Sequence, residues 1–332
     1  TIRSEEALAW FGAQVNAGAT GFASANVTLA AAGSHTAFDL AGTTYGFDVT
    51  AGGADDKAKY STCLPWVPIG SEANPFTGTL RAYGTPVQNL YIGEVSDDVH
   101  GLFGTVDGAT LLGIEVSDGY VFAKELNNFG FAGAIAGQTR GTVVLEDCHN
   151  AATVRGASVG GLVGRALSGN LTVRTSANEG KVEIQGGQPI GGGLVGFAGA
   201  TVQVFDSYNV GTVEGDWSVG GLIGILQTPA SASFDRCFSA GSLIDKYNSG
   251  QTGAFTSTKL DCPITIGEGC YYDSDVIAGT QDAASVTALT TAQLKTWGAA
   301  YQLNGGAAGG AQTGNIAGMS TWTWTTGNYP TL

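Results

Sequence analysis

Gly160-Gly161-Leu162-Val163-Gly164, Gly192-Gly193-Leu194-Val195-Gly196 and Gly220-Gly221-Leu222-Ile223-Gly224 are near-copies of one phrase, spaced by about 30 residues. A second phrase, small-x-Asn-x-Gly-x-Val, recurs with the same period. Its copies are Cys148-His149-Asn150-Ala151-Ala152-Thr153-Val154, Ser176-Ala177-Asn178-Glu179-Gly180-Lys181-Val182, Ser207-Tyr208-Asn209-Val210-Gly211-Thr212-Val213 and Cys237-Phe238-Ser239-Ala240-Gly241-Ser242-Leu243. They are separated by 28, 31 and 30 residues. A period of this size marks a solenoid, in which each repeat buries its apolar face only by stacking on the next.

Alternating runs such as Thr142-Val143-Val144-Leu145-Glu146-Asp147 and Thr201-Val202-Gln203-Val204-Phe205-Asp206 precede the second phrase. Period-two alternation in β-branched residues indicates short strands. Each repeat therefore reads as about three short strands joined by Gly or Asn turns. The glycines are expected to serve tight turns and close contacts between rungs. Asn in the third column is expected either to adopt a left-handed conformation or to form a side-chain ladder along the stack. The fold class is all-β: a parallel β-helix with short capping helices at its ends.

Weaker copies extend the array. Gly101-Leu102-Phe103-Gly104 and Ala132-Gly133-Ala134-Ile135-Ala136-Gly137 lie upstream; Gly253-Ala254-Phe255 and Cys270-Tyr271-Tyr272-Asp273 form a decaying last repeat. The solenoid is placed at residues 21–280. Open ends would expose unpaired strand edges, so both termini are read as caps. In residues 1–20, Ser4 is the expected N-cap of a helix with Glu5 and Glu6 in its first turn. Ala7, Leu8, Phe11 and Val15 give it an apolar stripe, with Trp10 beside it. In residues 281–332, Thr290 or Thr291 starts a helix running through Leu294, Trp297 and Tyr301. A Gly/Ala-rich loop at 304–318 follows, then a strand-like alternation at Trp322 and Trp324.

Composition narrows the functional classes. Gly accounts for 53 of 332 residues, without a collagen triplet, and the 43% hydrophobic content suits a continuous core rather than disorder. The 14 basic residues against 28 acidic ones leave a net charge of −14, the opposite of a nucleic-acid binder's footprint. No apolar run has the length of a membrane-spanning helix. Thr1 stands where an initiator Met would, so the chain is read as a mature form or a fragment, with any export signal or anchor outside it. The five Cys are too scattered for a disulfide scaffold. Cys148 and Cys237 share a column but sit too far apart along the stack to bridge, whereas Cys262 and Cys270 are near enough in sequence for a local loop bridge.

The phrases resemble the GLUG-motif family of bacterial surface proteins, named for Gly-Leu-x-Gly. Trp66-Val67-Pro68-Ile69-Gly70, Phe76-Thr77-Gly78-Thr79-Leu80, Asn89-Leu90-Tyr91-Ile92 and Gly101-Leu102-Phe103-Gly104 follow the order usual in such proteins, and Tyr329-Pro330-Thr331-Leu332 is similar to their ending. Residues 42–65 interrupt the pattern. The resemblance implies a right-handed β-solenoid on secreted or wall-attached bacterial proteins, including adhesins and non-catalytic regions of IgA1-specific metallopeptidases. It implies no single ligand.

Chemistry-bearing patterns are few. Gly156-Ala157-Ser158-Val159-Gly160 matches a nucleophile elbow, but that device needs a strand-turn-helix context, and Ser218 repeats the position after Trp217. The three His (His35, His100, His149) have no metal-ligand spacing. Asp147, Asp206 and Asp235 are expected to form one column that caps turns. Asp97-Asp98 and Asp273-x-Asp275 are loop acids outside any calcium-loop pattern, with weak calcium binding the alternative to a structural role. No metal, cofactor or catalytic residue is assigned.

Aromatic residues that break the repeat are the binding candidates. Trp217 stands where its counterparts are Ala157 and Pro189, and Tyr208 and Phe238 share a column with His149. A row of such rings could hold sugars or a protein partner, or could pack inward. The leading expectation is a non-catalytic extracellular module, secreted or on the cell surface, acting as an adhesin or ligand display. Its partners would be host or bacterial surface proteins or glycans, with no nucleic acid and no membrane insertion, and the chain is expected to be monomeric. The rivals are a β-helix polysaccharide lyase or hydrolase, and a structural or substrate-positioning arm of a larger secreted peptidase.

Overall fold

The computed structural model describes residues 1–31, 36–40, 65–93, 99–123, 130–186, 189–278, 280, 282, 285–304 and 322–332. His35, Cys63, the Asp97-Asp98 pair, nearly all of the 42–65 interruption and of the 304–318 loop, and the side chains of Trp297 and Tyr301 lie outside the described residues.

Parallel strands stack into a β-solenoid of about six turns. Each full coil supplies five strands rather than three. One coil runs through Thr153–Gly156, Ser158–Gly160, Val163–Ala166, Asn170–Arg174 and Ala177–Asn178. These positions generate five parallel sheets, I to V in that order, containing 6, 6, 6, 8 and 9 strands. The extra strands are two to four residues long and lie in the phrases themselves, too short for period-two alternation to register.

Sheet IV carries the long alternating runs. Its inward columns pass in register through Leu80, Leu111, Leu145, Val173, Val204 and Phe234, all buried. At about 1.5–3 kcal/mol per fully buried aliphatic side chain, these columns set the register. A slip of one residue would turn each of them to solvent.

The glycines of the repeated phrase have non-left-handed backbones, so turn geometry is not their reason. They are there for close approach. A Cβ on Gly160 would meet the carbonyl of Val163, and one on Gly164 would lie 2.6 Å from the Ala132 nitrogen. The middle glycine links the two phrases: a Cβ on Gly161 would collide with the Asn178 side chain, and one on Gly193 with that of Asn209.

Those asparagines form the ladder. Asn150 Nδ2 donates to Asn178 Oδ1 at 2.8 Å, and Asn178 Nδ2 donates to Asn209 Oδ1 at 2.8 Å. Each amide also donates to the carbonyl two residues on, in Ala152, Gly180 and Gly211. The left-handed corner instead falls on Asp147, Thr175, Asp206 and Arg236, with φ of 56°, 46°, 45° and 52°. Asp235 is therefore not in the Asp147–Asp206 column; it pairs in register with Phe205. The expected column of like charges is broken by Thr175 and closed by Arg236, whose guanidinium grips Asp206 at 2.7 and 2.9 Å. The Asp206 carboxylate thus accepts from side chains, rather than acting as a cap for turn amides.

Cys148, Cys237 and Cys270 are buried free thiols, so the Cys262–Cys270 bridge is not formed; Cys262 is buried as well. Cys270 instead continues the column of Cys237 one coil on, since Phe238 pairs with Tyr271. Burial pushes the Cys148 thiol up to about 12 and that of Cys270 to about 11.

Helix α1 (Glu5–Asn16) is capped by Ser4, whose hydroxyl accepts from Ala7 N at 3.3 Å. It buries Leu8, Phe11 and Val15, with the Phe11 ring 6.1 Å from Phe76 on the first coil. Asn16 locks it in place, donating to the Pro68 carbonyl and accepting from Gly70 N.

At the other end the strand Thr287–Leu289 extends sheet V, and the chain then breaks into two short helices, α2 (Thr291–Leu294) and α3 (Trp297–Leu303), instead of one. This segment turns back along the outer face of sheet V. Leu294, Leu303 and Trp322 pack on Ala177, Tyr208, Phe238 and Tyr271 as a second core. Trp322 and Trp324 do not form a strand; a single antiparallel bridge joins Thr323 to Thr331.

Candidate functional site

Sheet I and the loops beyond its last two strands carry three of the exposed large apolar side chains among the described residues. The sheet's outward column runs in register through Phe122, Arg155, Glu183, Glu214 and Ile244. The middle of this column is a charge ladder. Lys181 lies 2.6 Å from Glu183 and 3.2 Å from Glu214, and Lys246 also reaches Glu214 at 3.2 Å. Burial pushes the Glu214 carboxyl up, but hydrogen bonds and charge from the two lysines outweigh it and hold the group below the usual value.

The ladder ends at the rim in apolar residues. Gly215 pairs with Asp245, and Lys246 N donates to the Gly215 carbonyl at 2.8 Å, which brings Tyr247 onto the coil next to Trp217. Trp217 is 52%, Tyr247 74% and Ile244 42% exposed. Three of the seven exposed large apolar side chains among the described residues thus share one corner.

The corner is braced. Asp245 accepts from Tyr247 N at 3.2 Å, Gly250 N at 3.1 Å and Ser249 Oγ at 2.7 Å. Ser249 Oγ also lies 2.8 Å from the Trp217 carbonyl, tying the 245–250 loop to the preceding coil. Left-handed Asn248 and Gly250 permit the tight path. Two exposed aromatic side chains on adjacent coils, with the exposed Ile244 and the half-buried Asp216 close by in sequence, are the apolar surface that this edge of sheet I offers.

The other two aromatic candidates are not available to a ligand. Tyr208 and Phe238 stack at 5.0 Å with parallel rings, but at 2% and 0% exposure. They point neither into the solenoid core nor to solvent: Trp322 and Tyr329 cover them, with ring centroids 5.5 and 6.1 Å from Phe238. The Tyr208 hydroxyl donates to Glu179, and burial first, then that carboxylate, raises its ionisation well above the ordinary tyrosine value. The row was legible as a column; its cover comes from residues more than 80 positions away.

The remaining patterns resolve structurally. Ser158 pairs in register with Phe131 and Ile190 inside sheet II, with no strand-to-helix turn. His149 keeps the column assigned to it, with Nε2 3.4 Å from Asp147 Oδ1, while His100 is buried against the Phe122 carbonyl. Asp273 accepts from Thr291 Oγ1 and Tyr329 OH, both at 2.7 Å, and Asp275 accepts from Thr291 N, so this acid pair ties down the C-terminal layer. Asp282 receives the amides of Ala254, Phe255 and Thr256 at 2.6–2.9 Å and closes the last Gly-rich phrase. No cluster of three metal-ligating side chains occurs among the described residues, and no helix there is long and apolar enough to cross a membrane.

Comparison with family models, curated proteins and solved structures finds no match to this chain.

Sequence reasoning missed Tyr247 and Ile244. The signal was present: extending the fourth copy of the second phrase past Leu243 sets Ile244 against Glu214 and Tyr247 against Trp217.

Proposed function

We propose that this chain is a non-catalytic binding module of a secreted or surface-attached bacterial protein, adhesin-like in action, that presents the Trp217–Tyr247–Ile244 corner to a glycan or protein on another surface. The observation carrying this reading is that corner: large apolar side chains held out to solvent by a braced loop on a rigid stack. Aromatic rings cost little conformational entropy to immobilise, and pre-organisation by the Asp245 clamp reduces that cost further. The acidic surface, at a net charge of −14, favours neutral or basic partners over polyanions.

The test is a glycan array together with a panel of immobilised host and bacterial surface proteins, probed with the intact chain. The expected result is saturable binding to at least one component, lost in a Trp217→Ala, Tyr247→Ala double variant of unchanged melting temperature. Binding to nothing on either panel defeats the proposal, as does release of unsaturated or shortened sugars from a polysaccharide panel.

A further inference from the structure

A second place on the molecule, between sheets II and III, has the marks of a ligand site. The outer faces of these sheets meet in a seam of glycines. A Cβ on Gly164, Gly196 or Gly224 in sheet III would lie 2.6–2.8 Å from backbone atoms of Ala132, Val159 or Gly191, each in sheet II one coil earlier. Glycine there lets the two walls touch at their base.

Outward from the seam lies a cleft of about 590 Å³. One wall carries Phe131, Ser158 and Ile190 in register, and the other carries Arg165 and Phe197 in register. Gln227 and Thr228 stand among the residues lining it.

One polar group in the walls lacks what burial requires, and a second is a half-buried cation with only a distant counter-ion. Ser158 is 6% exposed, and its hydroxyl has no hydrogen-bond partner. A buried hydroxyl left unpaired is uncommon and costly. Arg165 has a side chain only 18% exposed, with its guanidinium 3.7 Å from the Phe131 ring centre and with Nε, at 2.9 Å, and Nη2 both donating to Gln138 Oε1, which leaves Nη1 and the outer edge of the group for a ligand. Its ion pair is a loose 3.7 Å approach to Glu72, whose own side chain is 65% exposed. Loss of solvent lowers the Arg165 pKa, and the approach of Glu72 opposes this only in part.

We infer that this cleft binds one carboxylate-bearing sugar residue, its carboxylate on Arg165, a ring hydroxyl on Ser158 and its apolar face on Phe197. A bidentate guanidinium–carboxylate pair would replace the loose contact with Glu72. A sugar suits the cleft better than a wholly apolar acid, because Ser158 and Gln227 supply hydrogen-bonding groups beside the aromatic wall. One acidic residue is indicated rather than a polyanion, since charges beyond about 8 Å in physiological salt are screened from Arg165 while the chain's net −14 repels the rest. This inference does not rest on the Trp217 corner, which lies on sheet I.

Calorimetry or ligand-observed NMR on the intact chain provides the test, with methyl glucuronoside, methyl glucoside and benzoate as probes. Methyl glucuronoside should bind saturably with a Kd on the order of a millimolar, as expected for so small a ligand, and the glucoside at least about tenfold more weakly. Arg165→Met should erase the preference for the acid. Ser158→Val should weaken both sugars by about three- to tenfold. The Trp217→Ala, Tyr247→Ala variant should bind all three as the unaltered chain does, which separates this site from the corner. Comparing the probes on the unaltered chain needs no variant to fold. Equal binding of the two glycosides, tighter binding of benzoate, undiminished binding by Arg165→Met, or no saturable binding each overturns the inference.

Discussion

Replacing Asn178 by Ala removes the middle rung of the asparagine ladder, and the structure sets the size of the loss. Asn178 is fully buried. It takes part in three side-chain hydrogen bonds, to Gly180 O at 2.9 Å, to Asn209 Oδ1 at 2.8 Å and from Asn150 Nδ2 at 2.8 Å. Each is worth about 1 kcal/mol net. Truncation also strips the Asn donor from Asn209 Oδ1 and the side-chain donor from the Gly180 carbonyl in the interior, which adds about 1–3 kcal/mol. Asn150 keeps its bond to the Ala152 carbonyl and so limits the damage on its side. The sum is a destabilisation of about 4–6 kcal/mol. Urea unfolding followed by far-ultraviolet circular dichroism measures it, and amide exchange should accelerate first around Ala177–Gly180. A loss under about 1 kcal/mol would show that the ladder is incidental and that the aliphatic columns alone hold the coils.

Four further outcomes follow from the same contacts. Gly193→Ala places a methyl against the Gly221 carbonyl and the Asn209 side chain, so it should destabilise by about 1–3 kcal/mol or more in the same urea assay. Ser239 pairs with Asn209 at the end of the ladder and has a buried, unpartnered hydroxyl, so Ser239→Asn should add a rung and stabilise by about 1 kcal/mol. Trp322→Ala uncovers Tyr208 and Phe238 and should cost about 3–5 kcal/mol, with a rise in binding of a hydrophobic dye. Burial, followed by the hydrogen bond to Asp273, raises the Tyr329 hydroxyl to about 12, and burial raises Tyr271 as well. The unfolded chain ionises these groups near 10, so their contribution is full below about pH 10 and is lost as pH rises through about 12. Melting temperatures between pH 9 and 12 should fall, and less steeply in Tyr329→Phe.

The fold was written in the repeat because a solenoid makes its tertiary contacts at a fixed sequence interval. Aligning Asn150, Asn178 and Asn209 in one column is already a statement about space, and the ladder confirms it at 2.8 Å per step. Local rules also fixed the Ser4 cap and the Leu8–Phe11–Val15 stripe, since both depend on residues within one or two turns. What escaped was of two kinds. Strands such as His149–Asn150 are too short to alternate, so five sheets read as three. The shift of Asp235 out of the aspartate column was hidden because Arg236 takes the left-handed corner there. Contacts between the array and the aperiodic C-terminal segment had no interval to reveal them. That is why Tyr208 and Phe238 read as open candidates although Trp322 and Tyr329 cover them. The cleft at Ser158 and Arg165 was hidden for a related reason: the glycine seam that forms it looks, in sequence, like ordinary turn chemistry.

Trp10 offers an internal control for the functional claim. It is 57% exposed, as much as Trp217, but it lies on α1 and its ring meets the half-buried Phe22 edge-on at 5.2 Å, with no second exposed ring recognised beside it among the described residues. The most direct measurement is therefore the affinity of the intact chain for the surface component identified by the array, compared with Trp10→Ala and with the Trp217→Ala, Tyr247→Ala double variant. Loss of at least about tenfold in the corner variant, with Trp10→Ala unchanged, is the predicted result. Equal losses in both, or a loss confined to Trp10→Ala, would contradict the assignment of binding to the corner.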